Sequence, residues 1–151
     1  MATTVDVEVH TTIDRPRREV AAYCCDPATV TRWNANIRAV HWDSQRPIAV
    51  GALLQFTSGF LGRTMEYTYE IIELVPDERL VMRSVRGPFS METAYLWADD
   101  EGSGTWMTVR NRGEPTGFAG LAAPILATAV RRATAKDLAQ LKSILEGVNL
   151  S

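Results

Sequence analysis

The last fifth of the chain, from about Phe118 to Glu146, carries the apolar spacing of one long amphipathic helix, and that helix dictates what the rest must supply. On a wheel of about 100° per residue, Leu126, Val130, Leu138, Leu141, Ile144, Leu145 and Val148 share one side. Thr134 and Asp137 are polar exceptions inside that stripe, whereas Arg131, Arg132, Lys136, Ser143 and Glu146 fall outside it. At about 1.5 Å per residue the helix is roughly 40 Å long. No second helix of similar size is evident to cover it, so the stripe needs a sheet. Pro124 removes a bond to the carbonyl of Gly120, which predicts a kink or a loose first turn. Gly147 is placed to terminate the helix.

The preceding chain supplies strands. Val5, Val7, Val9, Thr11 and Ile13 alternate with Asp6, Glu8, His10 and Thr12, the two-residue period of a strand with one buried face. Asp14 can cap a helix and Pro16 suits a first helical turn, so a short helix over Glu19 to Cys25 is expected, then a second from Pro27 to about Trp33. The two form a V able to cradle the long helix. Strands come next near Ile37 to Asp43 and Ala49 to Ser58, with a turn at Ser44 to Pro47 between them and breaks at Gly59 and Gly62. Further strands are expected over Arg63 to Leu74, Arg79 to Arg86, Met91 to Ala98 and Thr105 to Arg112, separated by turns at Pro76-Asp77, Gly87-Pro88 and Asp99 to Gly104. Tight turns make neighbours antiparallel. The fold class is therefore α+β: about seven strands in a curved antiparallel sheet wrapped around the C-terminal helix, with two short helices after the first strand.

A chain of 151 residues with 46% hydrophobic content matches one domain, residues 1–151, with a full core. Its net charge of -2, from 16 Lys+Arg against 18 Asp+Glu, provides no basic field for a phosphate backbone, and no nucleic-acid partner is expected. The start MATTVDVEVH lacks the features of a signal peptide, and no run of about 18 apolar residues is present, so a cytoplasmic protein without integral membrane association is expected. Cys24 and Cys25 are adjacent, which suits reduced thiols rather than a disulfide.

Several residues carry a resemblance in order along nearly the whole chain. They are Ile13-Asp14-Arg15-Pro16 with Val20, Asp26-Pro27 with Trp33, Val50-Gly51, Glu73-Leu74-Val75-Pro76 with Arg79-Leu80, and Leu138 to Glu146. In these the chain resembles the START-like superfamily, which includes the birch-pollen allergen fold, and within it the bacterial polyketide cyclase/dehydrase group. The resemblance implies a helix-grip fold with a cavity between sheet and helix, open near the helix and its adjoining loops. Such folds host binding, transport, cyclisation and chaperone-linked roles.

No G-x-S-x-G, HExxH or Gly-rich phosphate loop is present. Metal ligands and cofactors are not expected. His10 falls on the polar face of its strand and reads as solvated; His41 shares parity with Ile37 and Ala39, so it is either an inward acid-base or ligand-contacting group or a satisfied core or rim histidine. Tyr67, Tyr69, Tyr95, Trp97 and Trp33 bury rings while keeping a polar tip, which suits either plain core or a pocket for a ring-containing or lipid-like guest. Three inward tyrosine hydroxyls need partners: one another, water, or a cavity. Asp137 is the most anomalous position. It either lies at the sheet margin and pairs with an arginine or water, or projects into a polar part of the cavity with a raised pKa. Thr134 can bond back to the carbonyl of Val130. Ser84 and Asn111 are placed inward by parity, and Phe56, Val130 and Leu138 complete the expected ligand-contacting set. Arg131, Arg132, Lys136 and Lys142 read as a solvated helix face.

Three functions are expected from these readings. The first is binding of a small hydrophobic or aromatic ligand by a monomer or homodimer. The second is a cyclase/dehydrase-type enzyme with His41, Tyr67, Tyr95 or Asp137 moving protons. The third is a protein-interaction module presenting Phe60, Leu61 and Phe118.

Overall fold

Alternating strands and a terminal amphipathic helix produce a seven-stranded sheet with one long helix across its inner face. The computed structural model describes residues 4–44, 47–60, 62–87, 90–114 and 122–147. In chain order these form β1 (Val5–Ile13), α1 (Arg17–Cys24), a 3-10 turn (Pro27–Thr29), α2 (Val30–Trp33), β2 (Ile37–Trp42), β3 (Leu53–Phe60), β4 (Arg63–Val75), β5 (Arg79–Arg86), β6 (Met91–Asp99), β7 (Thr105–Gly113) and α3 (Ala123–Glu146). Strand order is β1-β7-β6-β5-β4-β3-β2, and every pair is antiparallel. Hairpins join β2 through β7 in sequence; only β1 crosses over, pairing with β7 from Val5↔Gly113 to Ile13↔Thr105. Register shifts at Ile37/Ala39, Thr68/Tyr69 and Ile71/Glu73 give β2 and β4 the bends of β-bulges.

Packing of α3 against β1 secures one edge of the sheet. Arg131 Nη1 donates to the Glu8 carbonyl at 3.1 Å and Lys142 Nζ to the Thr12 carbonyl at 2.6 Å, while Glu146 Oε2 accepts from Lys142 Nζ at 2.8 Å and from the Asp14 N–H at 2.9 Å. Carbonyls that an unprotected edge would offer to another chain are thereby occupied. Gly147 adopts the left-handed region at φ 72° and its N–H closes the helix on the Ile144 carbonyl, a C-terminal stop that costs glycine little.

The two ends of the sheet differ in filling. At one end, where β1, β4 and β6 finish and β5 and β7 begin, Ile13, Val20, Cys24, Ile71, Trp97 and Met107 pack solidly with Leu138 and Leu141 of α3. Cys24 Sγ lies 3.9 Å from Met107 Sδ, and Thr105 Oγ1 donates to the Arg15 carbonyl at 2.7 Å. At the other end, where β3, β5 and β7 finish, the core is hollow.

Local details depart from expectation. Pro124 sits in the first turn of α3, where its missing N–H has no partner to lose, so it opens the helix instead of kinking it. Pro16, not Asp14, occupies the N-cap of α1, and the Asp14 N–H is bound to Glu146. The strand expected from Ala49 begins at Leu53 and runs through Gly59, which pairs with Thr64. Parts of the expected Ser44 to Pro47 and Gly87-Pro88 turns, the helical start from Phe118, Val148, and Leu61 and Phe118 of the expected interaction patch lie outside the described residues, and Phe60 is described in its backbone alone.

Candidate functional site

The hollow end encloses a cavity of about 170 Å³ between the inner face of the sheet and the first half of α3. Its walls reflect strand parity: Phe56 and Ser58 of β3, Met65, Tyr67 and Tyr69 of β4, Met82 of β5, and Thr93 and Tyr95 of β6 all point inward. Leu126, Val130, Ala133, Thr134 and Asp137 project from α3, spaced three and four residues apart along one face. The deep lining is buried, whereas Asn34, Asn36, Ile37, Met91, Asn111, Gly113, Val130, Ala133 and Asp137 are half-buried and Arg112 is exposed. The mouth therefore lies between the α2–β2 connection, the middle of α3 and the paired ends of β6 and β7.

Aromatic rings make the floor. Phe56 stacks parallel to Tyr67 at 5.7 Å and meets Tyr69 edge-on at 5.3 Å, Tyr67 meets Tyr69 edge-on at 5.1 Å, and Trp33 tilts against Tyr95 at 5.6 Å. A directional hydrogen-bond chain crosses this apolar lining. Thr93 Oγ1 donates to Asn111 Oδ1 at 2.8 Å, so the Tyr69 hydroxyl, 2.9 Å away, donates to Thr93; Asn111 Nδ2 in turn donates to Thr134 Oγ1 at 3.0 Å. The chain joins β4, β6, β7 and α3 across the cavity, and each of its buried polar groups gains a partner. Thr134 is thus held by Asn111, not by a bond back to Val130.

Charge is sparse. Among the described lining side chains only Asp137 and Arg112 are ionisable as carboxylate or guanidinium, and Arg112 is bound to Glu92, Nε donating to Oε2 at 2.8 Å. Asp137 Oδ1 accepts the Ala35 N–H at 3.0 Å, which fixes the α2–β2 connection to α3. Burial raises the Asp137 pKa to about 6, while the Ala35 N–H and the Lys136 charge work in the opposite direction. Burial also pushes Tyr67 up to about 12 and holds Tyr69 and Tyr95 well above the ordinary tyrosine value. Asp137 is accordingly the lining group whose charge changes nearest neutrality.

Of the residues singled out from sequence, Trp33, Phe56, Tyr67, Tyr69, Tyr95, Asn111, Val130, Thr134 and Asp137 line the cavity. Four do not. The register shift after Ile37 turns Val40 and Trp42 to the inner side, where they line a separate open groove with Cys25, Pro27 and Ile48, and leaves His41 exposed on the outside. Ser84 has the right parity, but its hydroxyl accepts the Met91 N–H at 2.9 Å where β5 passes to β6. Trp97 and Leu138 are on the inner face at the solid end, Trp97 against the Cys24 thiol and Leu138 beside Leu141. Trp33 is 2% exposed and forms part of the cavity wall. His10 is exposed and stacks on Trp106 at 4.4 Å. Sequence reasoning passed over Ser58 and Met82, which share parity with Phe56 and Leu80, and Asn34 and Asn36, the polar residues directly after α2.

Among the described residues, no three His, Cys, Asp or Glu side chains are placed to hold a metal ion, and no helix is long and apolar enough to cross a membrane. Cys24 and Cys25 are free thiols, the first buried.

The architecture recurs in solved structures. A START superfamily protein from Mycobacterium smegmatis superposes with a TM-score of 0.82 at 11% identity, covering 95% of this chain and 99% of its own. The Zhui aromatase/cyclase from Streptomyces sp. R1128 gives 0.76 at 16% identity, covering 95% and 94%. A major latex-like protein from Panax ginseng gives 0.73 at 14%, covering 95% and 98%. At these identities the likeness is one of fold. No curated protein matches the sequence significantly. A family model described as polyketide cyclase / dehydrase and lipid transport matches residues 4–146, nearly the whole chain, and the chain belongs to that family.

Proposed function

We propose that this protein binds a small hydrophobic, ring-containing molecule in the cavity between the sheet and α3, as a carrier or sensor. The supporting observation is the cavity itself: about 170 Å³ of space under a lining of aromatic rings and methionines. An engineered apolar cavity of roughly 150 Å³ holds benzene, so this one suits one ring or two fused rings. A long acyl chain or a folded poly-ketone is larger, although Met65, Met82 and Met91 are side chains that repack readily. Isothermal titration with naphthalene tests the reading. Saturable binding at one site per chain is expected, and no heat or shift at the solubility limit of the probe counts against it.

A second reading, a cyclase/dehydrase-type enzyme, draws support from Asp137, whose raised pKa suits a proton acceptor in a largely apolar enclosure. With His41 exposed and the tyrosine hydroxyls held protonated by burial, Asp137 is the group on which that reading rests. It predicts turnover of a poly-ketone that is abolished by Asp137→Asn and unaffected by His41→Ala. Equal turnover in both variants sinks it.

A further inference from the structure

The cavity carries one full charge that no side chain of opposite sign meets at bonding distance among the described residues, and this bears on which ring-containing molecules fit. Asp137 Oδ1 is occupied by the Ala35 N–H, but none of the described residues donates to Oδ2. The groups facing Asp137 across the cavity are the Tyr95 ring from β6 and the tyrosines of β4, all neutral. Lys136 is its neighbour on α3 and is exposed, and Arg112 on β7 is taken by Glu92. On the opposite wall Tyr69, Thr93, Asn111 and Thr134 are already engaged with one another, and none of them carries a charge. A guest therefore meets apolar rings on most sides and one unfilled anionic acceptor near the mouth. A hydrogen-bond donor placed there gains a charge-assisted bond, whereas an anion placed there meets a like charge in a poorly solvated site.

We infer that the cavity selects neutral one- or two-ring molecules bearing a hydroxyl, of the phenol or naphthol type, with the hydroxyl donating to Asp137 Oδ2, and rejects the corresponding aromatic carboxylates. This rests on the cavity being a ligand site and narrows what it takes.

Dissociation constants of naphthalene, 2-naphthol and 2-naphthoate, measured by titration calorimetry at pH 7.5 on the parent and on Asp137→Asn, test it. The parent binds 2-naphthol about tenfold more tightly than naphthalene, the scale of one bond to a charged acceptor, and binds 2-naphthoate most weakly. In Asp137→Asn the amide offers donors where the carboxylate accepted. The naphthol advantage shrinks and 2-naphthoate gains affinity, a crossing that general loosening of the fold does not produce. If 2-naphthoate binds the parent as tightly as 2-naphthol, or the substitution shifts all three probes alike, the donor preference is wrong while the cavity reading stands. If none of the three binds, both are wrong.

Discussion

The solid and hollow ends of this molecule are built from the same strands, separated by a few residues along each. On β6, Trp97 fills the solid end and Thr93 the hollow one; on α3, Leu141 does the former and Val130 the latter. At the solid end, α1 brings Val20 and Cys24 onto the sheet, so the gap between sheet and helix has a third layer of apolar side chains. At the hollow end, α2 is only four residues long and contributes Trp33 and then polar Asn34 and Asn36. One rod cannot cover a seven-stranded surface unaided, and the difference teaches that the added layer, not the sheet, decides where the interior closes.

Truncation contrasts the ends most strongly. Leu141→Ala, in a fully buried site at the solid end, is expected to cost about 3 kcal/mol of unfolding free energy in urea titration. Val130→Ala, on an existing void, is expected to cost about 1 kcal/mol or less. Equal costs erase the distinction. Filling the void reverses the ordinary effect of overpacking: Ala133→Leu is expected to weaken naphthalene binding at least about tenfold while leaving the melting temperature unchanged or higher. A large loss of stability from that change shows that the space is not free.

Asp137 sharpens the comparison electrostatically. Its folded pKa of about 6 lies above the ordinary 3.8, so the folded state binds the extra proton between those values. Stability from this group is therefore greatest below about pH 4 and falls as pH rises through 6. With allowance for solvent near the mouth, Asp137→Asn is expected to stabilise the fold by about 1 kcal/mol at pH 7.5 and not at pH 4. A variant no more stable than the parent at pH 7.5 contradicts the raised pKa. An effect of similar size belongs to the hydrogen-bond chain: Thr134→Val leaves Asn111 Nδ2 without its acceptor and is expected to cost about 1 kcal/mol, with little change in naphthalene affinity.

Much of this architecture is legible before any coordinates. Alternation in β1, β4 and β6 assigns Val7, Tyr67, Tyr69, Thr93 and Tyr95 to the inner face, and a polar Asp137 within an apolar helical stripe marks the unusual spot on α3. Two kinds of information are not in the period. Parity tells which face a side chain occupies but not how far along the strand the cavity extends, so Trp97 and Leu138 fall on the correct face at the wrong end. A bulge is a single added residue with no compositional mark here, and the one after Ile37 reverses His41. The Ala35 N–H that Asp137 holds comes from a segment 102 residues away, a partner that no local pattern announces.

The methionines read the two ends directly. Met65, Met82 and Met91 line the cavity, whereas Met107 is fully buried in the solid end beside Cys24. In protein carrying 13C-methyl methionine, titration with naphthalene is predicted to shift the methyl resonances of Met65, Met82 and Met91 saturably through the ring current and to leave Met107 in place. Three unmoved cavity methyls, or a Met107 that moves as far as they do, would contradict a guest site confined to the hollow end.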